Sequence, residues 1–240
     1  MATATLMATF SEQRNLQLDR ANEAELISGV SRASADAVAK ASTRMNFLAG
    51  DMIYTEGDAA TGAYIVVRGK VKLVANSSDG KALILRIARP GEIISLSAAV
   101  SERANDTSAE AVEPTTVSFI KTANLYRLME TQGDLALRLA QELSIEYSSL
   151  CQELSTLGLQ RSAMSRLAKL LVGLTENVAS QRGILISACT LTHEEMAQMI
   201  GTSRETVTRL LHDLRDQGIA TIKQETLTVS KVENLRALMN

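Results

Sequence analysis

The spacing of apolar positions changes near residue 45 and again near residue 125, and each change predicts a different kind of element. Between residues 19 and 41, Leu26, Ile27, Val30 and Val38 lie among small and charged residues, which predicts one helix or two. From about 45 to 120 the pattern becomes short β-branched and aliphatic runs: MIYT, AYIVV, KVKLVA and LILRIA. Gly50, Gly57, Gly62, Gly69, Gly80 and Gly91 punctuate them. Short strands between regular turn signals predict an antiparallel roll or barrel. SSDG at 77–80, between VKLVAN and ALILRI, reads as a hairpin turn.

Near residue 125 the period lengthens. From Leu125 to Leu159 there is no proline, and the only glycines are Gly133 and, next to the end, Gly158. Leu139, Leu143, Tyr147, Leu150, Leu154 and Leu157 then follow at steps of four and three, a heptad-like seam on one long helix. So narrow a stripe needs a partner. It can lie against its own β-domain, or against its copy in a two-fold dimer, and its persistence over nearly three heptads favours the dimer. A further helix is predicted from Ala163 to Asn177, with Leu167, Leu170, Leu171 and Leu174 on one face. A loop containing Gly183 and a short strand, ILIS, follow it.

Thr192 to Leu214 fits a helix-turn-helix. Thr192 with Glu195 makes a capping-box signature. Met196, Met199 and Ile200 supply the first helix's buried face, and Ala197 is small where the helices approach. Gly201 suits the left-handed turn, and Thr202 or Ser203 caps the second helix. On that helix Val207, Leu210, Leu211 and Leu214 form the apolar side; Arg204, Glu205, Thr208 and Arg209 form the other. IATIK and TLTVS, joined at Gln224–Glu225, complete a winged helix-turn-helix. Charges on a helix are commonly just a solvated face. In a major groove, however, arginine donates two hydrogen bonds to guanine and glutamate accepts from the cytosine amino group.

Composition narrows the class without deciding it. The 240 residues are 45% hydrophobic and only 3% aromatic, without tryptophan, so the cores must be aliphatic. The net charge is −2. From Leu159 onward there are 10 basic and 8 acidic residues, leaving 15 and 19 before it, a tilt that permits nucleic-acid binding but does not argue for it. Cys151 and Cys189 form no CxxC pair. No apolar run is long enough to span a membrane, and MATATLMATFSEQRN at the start lacks the features of a signal peptide. A cytoplasmic, reducing setting is therefore expected, with no membrane partner. No phosphate-binding loop, nucleophile–histidine pair or carboxylate cluster of metal spacing suggests an enzyme.

The order of β-roll, long helix and winged helix-turn-helix resembles the Crp–Fnr family of bacterial transcription regulators. The resemblance rests on GDMIYTEGD at 50–58, YIVVRGKVKL at 64–73, PGEIISLSA at 90–98 and LTHEEMAQMIGTSRETVTRLL at 191–211. It implies an α+β fold in four parts: a flexible tail (1–20), a cyclic-nucleotide-binding-like sensor of jelly-roll type (21–125), a dimerisation helix (126–158) and the DNA-binding domain (159–240). It implies a homodimer on double-stranded DNA, contacting RNA polymerase if it is an activator. Positions matching Arg204, Glu205 and Arg209 contact bases in the family, implying a palindrome of TGTGA-like half-sites. Thr208 stands where the Fnr branch has serine, which leaves the middle bases open. Positions matching Thr192, Ser203 and Thr206 contact phosphates.

The effector departs from the family's cyclic-AMP pattern. Cyclic-AMP binders carry Gly-Glu-Leu and, shortly after, Arg-Ser-Ala; here the triplets are Ser95-Leu96-Ser97 and Thr107-Ser108-Ala109. Leucine cannot hold a ribose hydroxyl and threonine brings no charge. Arg103 could substitute through a shifted loop, or be a surface residue. Cys151 and Gln152 replace the Thr-Ser pair of the long helix; Cys151 could be a redox switch or a small apolar filler. An iron–sulfur cluster would need four cysteines, and haem an axial histidine in the sensor half, whereas His193 and His212 are both in the DNA-binding half. The expectation is a small-molecule effector other than cyclic AMP, or none, and no haem or cluster. The other reading is a cyclic-nucleotide-binding regulatory module acting on a protein partner through the helix-turn-helix.

Overall fold

The computed structural model describes residues 29–76, 82–159, 162–175, 178 and 184–239, and the side chains of 152–159 are not among what it describes. The predicted tail, Leu26 and Ile27, and the SSDG turn lie outside the described residues. The chain divides into two compact units, one ending at Tyr147 and the other starting at Ser148.

The first unit opens with α1 (Arg32–Ala41), capped by the Ser31 hydroxyl. Eight strands follow: β1 (Ser42–Phe47), β2 (Met52–Tyr54), β3 (Gly62–Arg68), β4 (Val71–Asn76), β5 (Ala82–Ala88), β6 (Ile93–Ile94), β7 (Ser108–Ala111) and β8 (Thr115–Lys121), with α2 (Leu96–Ser101) between β6 and β7. They form two antiparallel four-stranded sheets, in the orders β1-β8-β3-β6 and β2-β7-β4-β5. This is the antiparallel roll expected from the strand texture, of the jelly-roll type that the resemblance implied.

Strand β3 explains why AYIVV reads as a continuous apolar run. Tyr64 and Val66 point into the space between the sheets, with Val71, Leu73, Ile94 and Val117. Ala63 and Ile65 point the other way, into a second core with Leu96, Ile120, Leu125 and Leu128. Alternate residues of one strand therefore fill two cores, and neither parity is left polar.

The helical stretch is broken where the sequence shows only Gly133. Helix α3 (Thr122–Thr131) ends at Gln132, whose backbone is non-helical, and α4 (Gly133–Leu159) begins afresh. The predicted helix 126–158 is thus two helices, with its first six residues in α3. Asp134 explains the new start. Its Oδ2 accepts the Ser31 backbone N–H at 2.5 Å and its Oδ1 the Ser34 hydroxyl at 2.6 Å. These bonds, the Ser34 one foremost, hold its carboxyl well below the usual carboxylate range and tie α1 to the root of α4.

The seam of α4 also divides. Leu135 and Leu139 are buried in the roll's own core, and Leu143 packs against it. The predicted interface positions Leu139 and Leu143 are therefore used within the chain, because the helix starts by docking on its own sheet. Tyr147 and Leu150 are exposed, at 71% and 39%, as are Leu137 and Ile145. Leu154 and Leu157 lie among the side chains that are not described.

The second unit contains α5 (Ala163–Gly173), β9 (Leu185–Ala188), α6 (His193–Ile200), α7 (Arg204–Asp216), β10 (Ala220–Lys223), β11 (Thr226–Val229) and α8 (Val232–Ala237). Helix α5 stops at Gly173, short of the predicted Asn177, which lies outside the described residues. The strands make one antiparallel sheet, β10-β11-β9. A single core joins all the helices to it: Leu167, Leu171, Met196, Val207, Leu214, Leu227 and Leu235 are each at most 1% exposed.

Candidate nucleic-acid interface

Helices α6 and α7 are held by short-range chemistry that is visible in the sequence. The Thr192 hydroxyl accepts the Glu195 N–H at 3.1 Å, and Glu195 reaches back to the Thr192 N–H at 2.8 Å, closing the capping box. Gly201 ends α6 at φ 62°, a conformation costing a residue with a Cβ about 1–2 kcal/mol. Its N–H and that of Thr202 both bond to the Ala197 carbonyl. Ser203 caps α7 by accepting the Thr206 N–H at 3.2 Å. At the far end Gly218 lies at φ 63° and the Ile219 N–H returns to the Leu214 carbonyl at 2.9 Å, so α7 is closed at both ends.

Val207, Leu210 and Leu214 are buried and Leu211 is half-buried. Arg204, Glu205, Thr208 and Arg209 are all exposed. At about 100° per residue these four cover an arc of roughly 140°, opposite the buried one. Glu205 lies in the first turn of α7. Hydrogen bonds from its own N–H and the Ser203 hydroxyl, with the Arg204 charge, hold its carboxyl below the usual range. Among the described residues no ion pair engages Arg209.

The hydroxyls are differently placed. Thr192 Oγ1 donates to Glu195 at 2.8 Å, and Ser203 and Thr206 share a hydrogen bond of 3.1 Å. A phosphate would have to displace an internal bond to engage any of them. Sequence reasoning missed Arg166 on α5. Its Nε donates to the Ile200 carbonyl at 2.7 Å and it reaches the Gly201 carbonyl at 3.5 Å, satisfying the exposed end of α6 beside the turn. An arginine within the apolar repeat of α5 was the available signal.

In the roll, the residues expected around an effector are largely committed to one another. Ser95 adopts a left-handed backbone, φ 60°, where cyclic-AMP binders have glycine. Its hydroxyl donates to Asn105 at 2.7 Å. Leu96 is 2% exposed and belongs to the core, while Ser97 and Arg103 are exposed. Thr107 hydrogen-bonds with Tyr54, whose phenol burial pushes up to about 12. Ser108 is buried and accepts the Glu56 N–H at 2.9 Å. Cys151 is exposed on α4, and the side chain of Gln152 is not described. One half-buried cation of the roll was overlooked by sequence reasoning. Arg86 on β5 donates to Glu92 at 2.6 Å, to the Ile93 carbonyl at 3.2 Å and to Glu146 on α4 at 3.3 Å. Burial of the Glu92 carboxyl raises its pKa despite that arginine. No group of three or more potential metal ligands occurs among the described residues, and none of their helices is long and apolar enough to cross a membrane.

Residues 44–132 match the cyclic nucleotide-binding domain, and residues 165–238 the Crp-like helix-turn-helix domain. The chain is 29% identical to the cyclic AMP receptor protein of Thermus thermophilus, over 79% of this chain and 84% of that protein. It is also 29% identical to the global nitrogen regulator of Synechocystis sp., over 74% and 80% respectively. Among solved structures, FixK2 from Bradyrhizobium japonicum superposes with a TM-score of 0.73 at 25% identity, covering 83% of this chain and 98% of that one.

A jelly roll of the cyclic-nucleotide-binding type combined with a winged helix-turn-helix defines a DNA-binding transcription regulator, not an enzyme. The matched domains and relatives make the assignment specific: the chain belongs to the Crp–Fnr family. The match to a Crp-like DNA-binding domain tells against the helix-turn-helix serving as a protein contact.

Proposed function

We propose that the protein is a homodimeric regulator that reads a palindromic duplex site with α7 in the major groove, and that its effector, if any, is not cyclic AMP. The observation that carries this is the exposed arc of Arg204, Glu205, Thr208 and Arg209 on a helix whose opposite face is wholly used in packing. Arg204, Glu205 and Arg209 face bases of TGTGA-like half-sites, whose centres lie about 34 Å apart. Thr206 exchanges its bond to Ser203 for a phosphate, and Ser203 its bond to Glu205, while Thr192 keeps its place in the capping box. Tyr147 and Leu150 supply the dimer contact, along a seam whose spacing in the sequence runs on to Leu154 and Leu157. The protein works in the cytoplasm, and as an activator it would touch RNA polymerase.

Charge tells against cyclic AMP. The nucleotide's phosphate needs a cation, and Thr107 stands where the family's arginine would. Arg86, a half-buried cation of the same roll, already faces two carboxylates.

The test is fluorescence anisotropy of the purified protein on a palindrome of two TGTGA-type half-sites and on a scrambled duplex, at fixed salt, with and without cyclic AMP or cyclic di-GMP. Selective binding without nucleotide is expected, and Arg209→Glu should abolish the selectivity. An Arg209→Glu protein that still prefers the palindrome overturns the base-reading assignment. Selectivity appearing only with cyclic AMP overturns the effector assignment.

A further inference from the structure

Thr208 is the one uncharged member of the exposed arc on α7, and its hydroxyl is not at liberty. Oγ1 lies 3.0 Å from the Arg204 carbonyl oxygen one turn back, and 2.9 Å from Nδ1 of His193, the half-buried first residue of α6. A hydroxyl has one hydrogen and two lone pairs. The carbonyl can only accept, so the hydrogen of Thr208 goes to it. Oγ1 must then accept from the imidazole, which places a hydrogen on Nδ1 of His193. The hydroxyl keeps one lone pair and no hydrogen to give.

We propose that His193 is a positioning residue that fixes Thr208 as a non-donor, so that the half-site base facing Thr208 cannot be guanine. This rests on the reading of α7 as the recognition helix. In the major groove guanine offers two acceptors, N7 and O6. Cytosine and adenine offer an amino donor, and thymine a methyl group. A held Thr208 can accept from the amino group with its remaining lone pair, or lay its own methyl against that of thymine. To guanine it offers nothing, and the two acceptors lose water without replacement. The same geometry ties the first turn of α6 to the reading face of α7, so the bond joins the two helices through a residue that itself need not touch a base.

The experiment is anisotropy on a duplex panel in which each half-site position is varied through all four bases at fixed salt. It compares wild type, His193→Ala, Thr208→Val and the double variant, with thermal melting as a check on folding. Wild type should reject guanine at one position. Loss of His193 removes the bond that holds Oγ1 in place against the Arg204 carbonyl, so the hydroxyl can leave that carbonyl, turn and donate, and guanine there should gain roughly fivefold relative to the best base, with other positions unchanged. Thr208→Val has the same shape and no hydrogen, so it should keep the rejection. In its background His193→Ala should change nothing more. If His193→Ala weakens every duplex alike and lowers the salt dependence, the imidazole is a phosphate contact and the proposal falls. If wild type is selective but the guanine ratio does not move, this inference alone falls. If wild type prefers no base anywhere, the reading of α7 falls with it.

Discussion

Arg86 and Arg209 carry the same side chain, and the two units use them in opposite ways. In the roll, Arg86 is held by Glu92, Glu146 and a carbonyl, and links a strand to the long helix. In the DNA-binding unit, Arg209 stands on the exposed arc of a rigid, twice-capped helix, with no ion pair among the described residues. A charge matched inside the fold preserves shape. A charge left facing solvent on a rigid platform stays available for a partner. The same division separates Ser95, Ser108 and Thr107, bonded within the roll, from Arg204 and Glu205, which face outward.

If that contrast holds, Arg86→Met should cost about 1–3 kcal/mol of stability, because two carboxylates lose their shared cation. Urea unfolding measures the loss, and the preference for the palindrome over scrambled DNA should survive. Loss of preference with unchanged stability would reverse the contrast. By the same logic the Arg209→Glu protein should keep its stability within about 0.5 kcal/mol.

Thr192→Ala is the intermediate case. It removes the capping box, so about 1 kcal/mol of stability should go. The salt dependence of DNA binding should stay as it was. A shallower slope would show that the hydroxyl leaves Glu195 to meet a phosphate.

The smallest effect concerns Asp134. Its pKa is lowered in the folded chain, so the stability it contributes is present above the unfolded value near 3.9 and is lost as pH falls through the folded one. The protection of α1 amides, measured against their intrinsic exchange rates, should therefore be constant from neutral pH to about pH 5 and fall only below about pH 4. Asp134→Asn should show the faster exchange already at neutral pH.

What the sequence made legible follows the range of the interactions involved. The capping box, Gly201, the Ser203 cap and the apolar face of α7 all act within four residues, and a reader of the chain meets their parts together. The strand texture was legible for a similar reason, since alternation and turn glycines are local. The division of α4 was not. A stripe of Leu139 and Leu143 at steps of four has the same spacing whether it docks on its own roll or on a copy, and only the position of the roll's sheet decides. The break at Gln132 was hidden because its anchor, Asp134, bonds to Ser31 and Ser34, about a hundred residues earlier. Arg86 and Glu146 are 60 residues apart, beyond any local pattern. Helix α8, six residues long, was too short to show a period.

The closed ends of α7 carry a thermal consequence. Ordering a residue's backbone costs about 1–2 kcal/mol in conformational entropy at room temperature. For the thirteen residues of this helix that loss is already incurred in the free protein. Meeting the duplex should then involve no coil-to-helix change. Far-ultraviolet circular dichroism of the protein component should be the same free and bound, and base preference should stay nearly level on warming until the DNA-binding unit itself melts.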